Sequence, residues 1–208
     1  MNTMRILTTA AFAAAIAVTA VSAQQPQTQR VRGTIEKVDG NTLLIKGPDG
    51  APASVSLADN AVIVGVLKAT VADIKEGSYI GSGALPQPDG TQKAVEVHIF
   101  AESQRGTGDG HRGNWDGSPY GAGIGTMTNG AAGQAVSSVD GQAIMIKYKD
   151  GEKKIVVGPN VPIVKYEIGN KSELKPGAAI AIVAATKNPD GTFAAARINV
   201  GRNGVVPN

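Results

Sequence analysis

The sequence predicts an all-β fold: two tandem homologous small β-barrels of the Greek-key, OB-like type, preceded by a signal peptide. One observation is a hairpin spelled twice: VDGNTLLIKGPDG at 38–50 returns as VDGQAIMIKYKDG at 139–151, 101 positions on. A second is the punctuation. Asp-Gly and Pro-Asp-Gly turns recur between short runs of strand length, several of them alternating apolar with polar residues. A third is composition. The 208 residues include no cysteine, so the interior must come from buried apolar side chains and not from the disulfides that staple many small secreted domains.

The chain opens with MNTMRILTTAAFAAAIAVTAVSA, in which Arg5 precedes an apolar run that ends on the small residues Val21-Ser22-Ala23. That layout is a Sec-type signal peptide over 1–23, with cleavage expected near Ala23 and a periplasmic or secreted destination. The run is weakly apolar and at the lower limit for crossing a bilayer, so no transmembrane span is expected once it is removed.

The first barrel is expected over 24–100. Ile35, Val38, Leu43 and Ile45 alternate around an Asp-Gly turn, and glycine there supplies the positive φ a tight hairpin needs. In GPDG (47–50) and QPDG (87–90), proline presets the first corner and glycine serves the left-handed one. ASVSL, AVIVGV, SYIGSGA and AVEVHI read as strands; in the last, Val95, Val97 and Ile99 should point inward, with Glu96 and His98 outward. VADIKEG (71–77) breaks this pattern and predicts one helical turn closed by Gly77. Closing such short, bent strands into a barrel removes exposed edges.

The second barrel is expected over 132–201. From Asp59, DNAVIVGVLKATVADIKEGSYIG aligns with PNVPIVKYEIGNKSELKPGAAIA from Pro159 at an offset of 100, and PDGTQKAVEVHI from Pro88 with PDGTFAAARINV from Pro189 at 101. The offset changes between Leu57 and Asn60. Order, spacing and turn residues recur together, which predicts a duplicated unit. KSELKPG (171–177) repeats the helical turn and NPDG (188–191) the corner, while 202–208 is expected to be a flexible C-terminal tail.

The pattern VRGTIEKVDGNTLLIKGPDG, then IKEGSYI, then PDGTQKAVEVHI resembles a family of bacterial secreted domains of unknown function, with the signature Val-x-Gly-x-Ile-x-x-Val-Asp-Gly. The resemblance covers about 30–100 and, more loosely, about 132–201, where GQAVSSVDG lacks the glycine matching Gly33. It implies a small OB-like barrel and export. It supplies no catalytic residues.

Between the copies, 101–131 is glycine-rich and reads as a linker or loop, with Trp115, the only tryptophan, and Tyr120 packing on a barrel to hold it down. A sharper reading makes it a site for a divalent transition metal, with Asp109, His111 and Asp116 joined by Glu102 and His98, because carboxylate and imidazole suit such ions. The spacing matches neither paired histidines on a helix nor a calcium loop. No other cofactor is implied. Lys147, Lys149, Lys153 and Lys154 crowd the second hairpin, and from Ala132 onward there are ten basic and six acidic residues. Export and an aromatic content of 4% argue against nucleic acid. Anionic lipid, polysaccharide or a protein of the envelope are the fitting partners, and Trp115 with these lysines the candidate surface. With neither thiol nor nucleophile elbow, a non-catalytic envelope binding or interaction protein is expected. A periplasmic metal-binding protein and an envelope stress or solubility factor are the alternatives.

Overall fold

The structure, a computed structural model, describes residues 28–115, 125–138 and 140–207. The expected signal peptide falls outside them. Thirteen strands follow one another along the described chain: β1 (Thr28–Asp39), β2 (Thr42–Lys46), β3 (Pro52–Ala69), β4 (Tyr79–Pro86), β5 (Gln92–Ile99), β6 (Gly110–Trp115), β7 (Gly125–Ala132), β8 (Val136–Ser138), β9 (Gly141–Tyr148), β10 (Gly151–Val157), β11 (Ile163–Ile168), β12 (Ala179–Lys187) and β13 (Phe193–Gly201). The fold is all-β and its sheet closes twice. One barrel runs β1-β2-β3-β13-β12 and returns to β1; the other runs β7-β9-β10-β5-β4 and returns to β7.

The barrels do not coincide with the segments 24–100 and 132–201 expected from the repeat. The first takes β1–β3 and the distant β12–β13 hairpin; the second takes β9 and β10, the earlier β4–β5 hairpin and β7, which lies within the glycine-rich segment. The physical cause is β3. Its 18 residues pair first with β2, then with β13, and its last six pair antiparallel with β11. At about 3.3 Å per residue, such a strand carries the chain out of the first barrel before η-type turn Val71–Asp73 and the β4–β5 hairpin can close it. The β3–β11 register centres on Val66 opposite Tyr166. Those are matching positions at the 100-residue offset.

Each barrel has its own interior. Ile35, Leu43, Ile45 and Val55 meet Ile180, Ile182, Ile198 and Val200 in the first. Ile80, Val97 and Ile99 meet Ile144, Ile146, Ile155 and Val157 in the second. A small third cluster of Val64, Val66 and Tyr166, with Phe100 and Val205 packed on it, fills the seam.

Local expectations hold at the turns. Gly50, Gly90 and Gly191 adopt φ of +83°, +83° and +86°, and the preceding Asp89 and Asp190 accept from the backbone N–H of Thr91 and Thr192 at 2.9 Å. The helical turns expected at 71–77 and 171–177 are 3-10 turns, Val71–Asp73 and Lys171–Glu173. In β5 the alternation slips: Gly83 pairs with Glu96 and Ala84 with Ala94. Val95 is therefore the bulged residue, and Ala94 takes the inward place expected of it.

Two further expectations change. Within 101–131, read as a linker, β6 and β7 form, and β7 is a full barrel strand between β4 and β9. A glycine in the same setting as Gly33 lies there. A Cβ at Gly33 would meet the Lys46 carbonyl oxygen at 2.1 Å, and one at Gly130 the Lys147 carbonyl oxygen at 2.2 Å, so both positions demand close backbone approach. Thirteen positions separate the first pair and seventeen the second; four extra residues, taken up between β7 and β9, hid the match. The C-terminal residues, expected as a flexible tail, are tied to β3. Arg202 N–H donates to the Val66 carbonyl at 2.9 Å, its guanidinium binds Glu173 and Glu167 at 2.8 Å each, and Pro207 is buried.

Candidate functional site between the barrels

Where the two barrels face each other, their outer walls enclose a cleft of about 310 Å³. The first barrel contributes Arg30 from β1, Ala181, Val183 and Ala184 from β12, and Arg197 and Asn199 from β13. The other wall carries Glu96 and His98 from β5, Phe100 just after it, Met127 from β7 and Trp115 from β6. Tyr166 of β11 stands between them. Residues on the outward face of these strands thus line a pocket, because the exchanged hairpins press outward face against outward face.

The two walls correspond position by position and differ in chemistry. Glu96 matches Arg197, and His98 matches Asn199, at the 101-residue offset. Arg30 and Met127 each lie three residues before the closely packed glycine of their strand, Gly33 and Gly130. One wall is therefore cationic and amide-bearing, the other aromatic and thioether-bearing with one carboxylate. Gly83 lets the aromatic side form. A Cβ there would lie 2.3 Å from Trp115 Cη2, so the indole rests flat on β4, whereas the matching position on the other wall is Val183.

His98 is stacked on Tyr166, ring centroids 5.3 Å apart, with its Nε2 3.2 Å from Glu96 Oε1. Tyr166 is 8% exposed; burial first, and then the nearby Glu96 charge, push its hydroxyl up to about 12. No described residue hydrogen-bonds that hydroxyl. Burial also pulls the Arg197 guanidinium below its ordinary value, with Tyr166 opposing, and no described carboxylate forms an ion pair with it. Asn199 is 4% exposed, and its Oδ1 is buried without a hydrogen-bond partner. A smaller space of about 30 Å³ shares Glu96, His98, Tyr166 and Asn199 with the cleft.

The other residues singled out from sequence stand apart from this cleft. Asp109 accepts from the Tyr79 hydroxyl at 3.2 Å and from the Lys149 backbone N–H at 2.9 Å. Burial, then Asp109, drive the Tyr79 hydroxyl to about 12. His111 Nδ1 lies 2.8 Å from Thr128 Oγ1, and burial and then Lys153 lower its pKa. Glu102 pairs with Arg105 at 2.8 Å. Asp116 lies outside the described residues. Among the described residues no three His, Asp or Glu side chains gather. Lys147, Lys149 and Lys154 are exposed on the β9–β10 hairpin, and Lys153 is half-buried. Of the sequence candidates among the described residues, His98 and Trp115 alone line the cleft. Tyr166, Arg197, Asn199 and Glu96 escaped the sequence reading, although the alignment of His98 with Asn199 and Glu96 with Arg197 was the available signal.

Searches against protein-family models, curated proteins and solved structures found no match for this chain.

Proposed function

We propose that this chain is an exported, non-catalytic binding protein of the bacterial envelope, and that its ligand occupies the cleft between the barrels. One observation carries the reading: the buried, unpartnered Oδ1 of Asn199 and the half-buried Arg197, which forms no ion pair with a described carboxylate, line the same apolar-walled space. Buried polar groups are normally satisfied, and an exception asks for an explanation. Concave, mostly apolar pockets with a few placed polar groups are the usual form of small-molecule sites.

Export rests on the Met1–Ala23 pattern. Duplication of an OB-like unit rests on the recurring hairpin, on the shared strand order and on a β3–β11 register centred at equivalent positions. Catalysis is disfavoured because, among the described residues, no serine or cysteine lines the cleft beside His98 and Glu96. The test is a thermal-shift screen of a small-molecule library against the wild type and against Ala184→Trp, which fills the cleft from its exposed edge. Compounds should raise the wild-type midpoint and leave the variant unmoved. Equal shifts in both, or turnover of a hit that disappears with His98→Ala, would defeat the proposal.

A further inference from the structure

We infer that the cleft selects a small organic carboxylate with an apolar body, its carboxylate held against Arg197 and its body lying on Trp115, Met127 and Phe100. The inference deepens the binding-protein reading and rests on it. Arg197 fixes the sign of the ligand. A half-buried guanidinium that forms no ion pair with a described carboxylate is left with an uncompensated charge, and its planar fork fits a carboxylate bidentately. Arg30, on the same wall, adds a second positive charge without competing for the same space, since it stands at the exposed rim. Asn199 beside it is 4% exposed, and its orphaned atom is Oδ1, an acceptor, which calls for a hydrogen-bond donor and takes no part in holding the carboxylate.

Polarity across the cleft fixes the orientation. Glu96, held near His98 on the far wall, repels an anion there and leaves the carboxylate one favourable end. The opposite surface offers an indole, a thioether and a phenyl ring, and Val183, 56% exposed, completes the apolar contact. Size follows from volume. A space of about 310 Å³ lies at the lower end of the roughly 300–1,000 Å³ of small-molecule sites and suits a small ligand. An aryl carboxylate or a six-carbon fatty acid is of that size. A sugar chain is too large, and inorganic phosphate would leave the apolar wall uncovered.

The experiment titrates the whole chain with hexanoate, phenylacetate, the neutral analogues hexanol and phenylethanol, and inorganic phosphate. Calorimetry reads affinity, and the emission of Trp115, the only tryptophan, reads occupancy of the cleft. The carboxylates should bind at about millimolar or tighter and change the emission, with the alcohols and phosphate at least tenfold weaker. Arg197→Gln should weaken carboxylate binding roughly ten- to hundredfold, the range of a charge-assisted contact, and leave alcohol binding unchanged; Arg197→Lys should restore part of it. Alcohols binding as well as carboxylates, or carboxylate affinity untouched by Arg197→Gln, would overturn the inference and leave the cleft a binding site of another class. An emission unmoved by every compound in the wider library would remove the parent reading as well.

Discussion

Exchange of hairpins between the halves makes a sharp prediction: neither half is a monomeric protein by itself. A chain cut to 24–115 keeps β1, β2 and β3 but loses β12 and β13, and with them Ile180, Ile182, Ile198 and Val200, each at most 2% exposed. Burying one such side chain contributes about 1.5–3 kcal/mol, so the four together represent roughly 6–12 kcal/mol, as much as the whole net stability of a typical domain at about 5–15 kcal/mol. The complementary chain 116–208 loses the β4–β5 hairpin and therefore Ile80, Val97 and Ile99 from the second interior. To close alone, the first fragment would have to bend β3 back after Val66, where it now runs straight on into the pairing with β11. Circular dichroism, light scattering and urea denaturation on each fragment and on their mixture are the assay. Each fragment alone should be unfolded or self-associated, and the equimolar mixture should recover a cooperative transition. A monomeric 24–115 fragment that unfolds cooperatively near the midpoint of the intact chain would refute the exchanged topology.

Other perturbations reach separate parts of the structure. Gly83→Ala puts a methyl 2.3 Å from the Trp115 ring, so the indole must leave β4; its emission should shift to the red, and an unchanged spectrum would contradict the placement. Ile146→Ala, at a side chain 0% exposed, should cost about 2–5 kcal/mol in urea denaturation, whereas exposed Val136→Ala, at 54%, should stay within about 0.5 kcal/mol. Arg202→Ala removes the hydrogen bonds to Glu173 and Glu167 and should cost about 1–2 kcal/mol, discounted for its partial exposure. The same variant bears on acid stability. The Arg202 guanidinium holds the Glu173 carboxyl below its ordinary 4.5, so that pair stabilises the fold above pH 4.5 and is lost as pH falls through the depressed value. Below about pH 4.5 the wild type should lose stability more steeply with acid than Arg202→Ala does, in denaturation midpoints read at successive pH values.

What could be read from the sequence was what local chemistry decides. Asp-Gly and Pro-Asp-Gly turns, the one-turn helices and the inward Ile35, Leu43 and Ile45 depend on residues a few positions apart, and the structure places them as the pattern does. Which hairpin closes which barrel is not a local property. The strands β4 and β12 would fit either partner by pattern, because an inward Ile80 and an inward Ile180 present the same face at the 100-residue offset. The bulge at Val95 was equally hidden, since Ala94 and Val97 are three apart and only the extra residue puts both inward. The glycine-rich segment misled for a physical reason. Gly130 there is pressed against the Lys147 backbone while Gly106 and Gly113 face open space, and composition alone does not distinguish the two.

The cleft was the least legible feature because alternation assigns its residues to solvent. Glu96, His98, Arg197 and Asn199 occupy outward positions on their own strands, and for an isolated barrel that is the surface. Exchange changes what lies outside. With β3 and β11 paired across the seam, outward faces of two barrels meet, and the polar residues on them are half or fully buried without becoming part of either interior. A single barrel of this type has nowhere to hold a ligand, since its interior is packed with isoleucine and valine. Two barrels joined by a flexible tether would form the same faces but not hold them at a fixed distance. Continuous strand pairing from β5 through β11 to β3 does. The differences between matching positions, Glu96 against Arg197 and Gly83 against Val183, then give that fixed space two unlike ends, which is the requirement for seating an unsymmetrical molecule one way round.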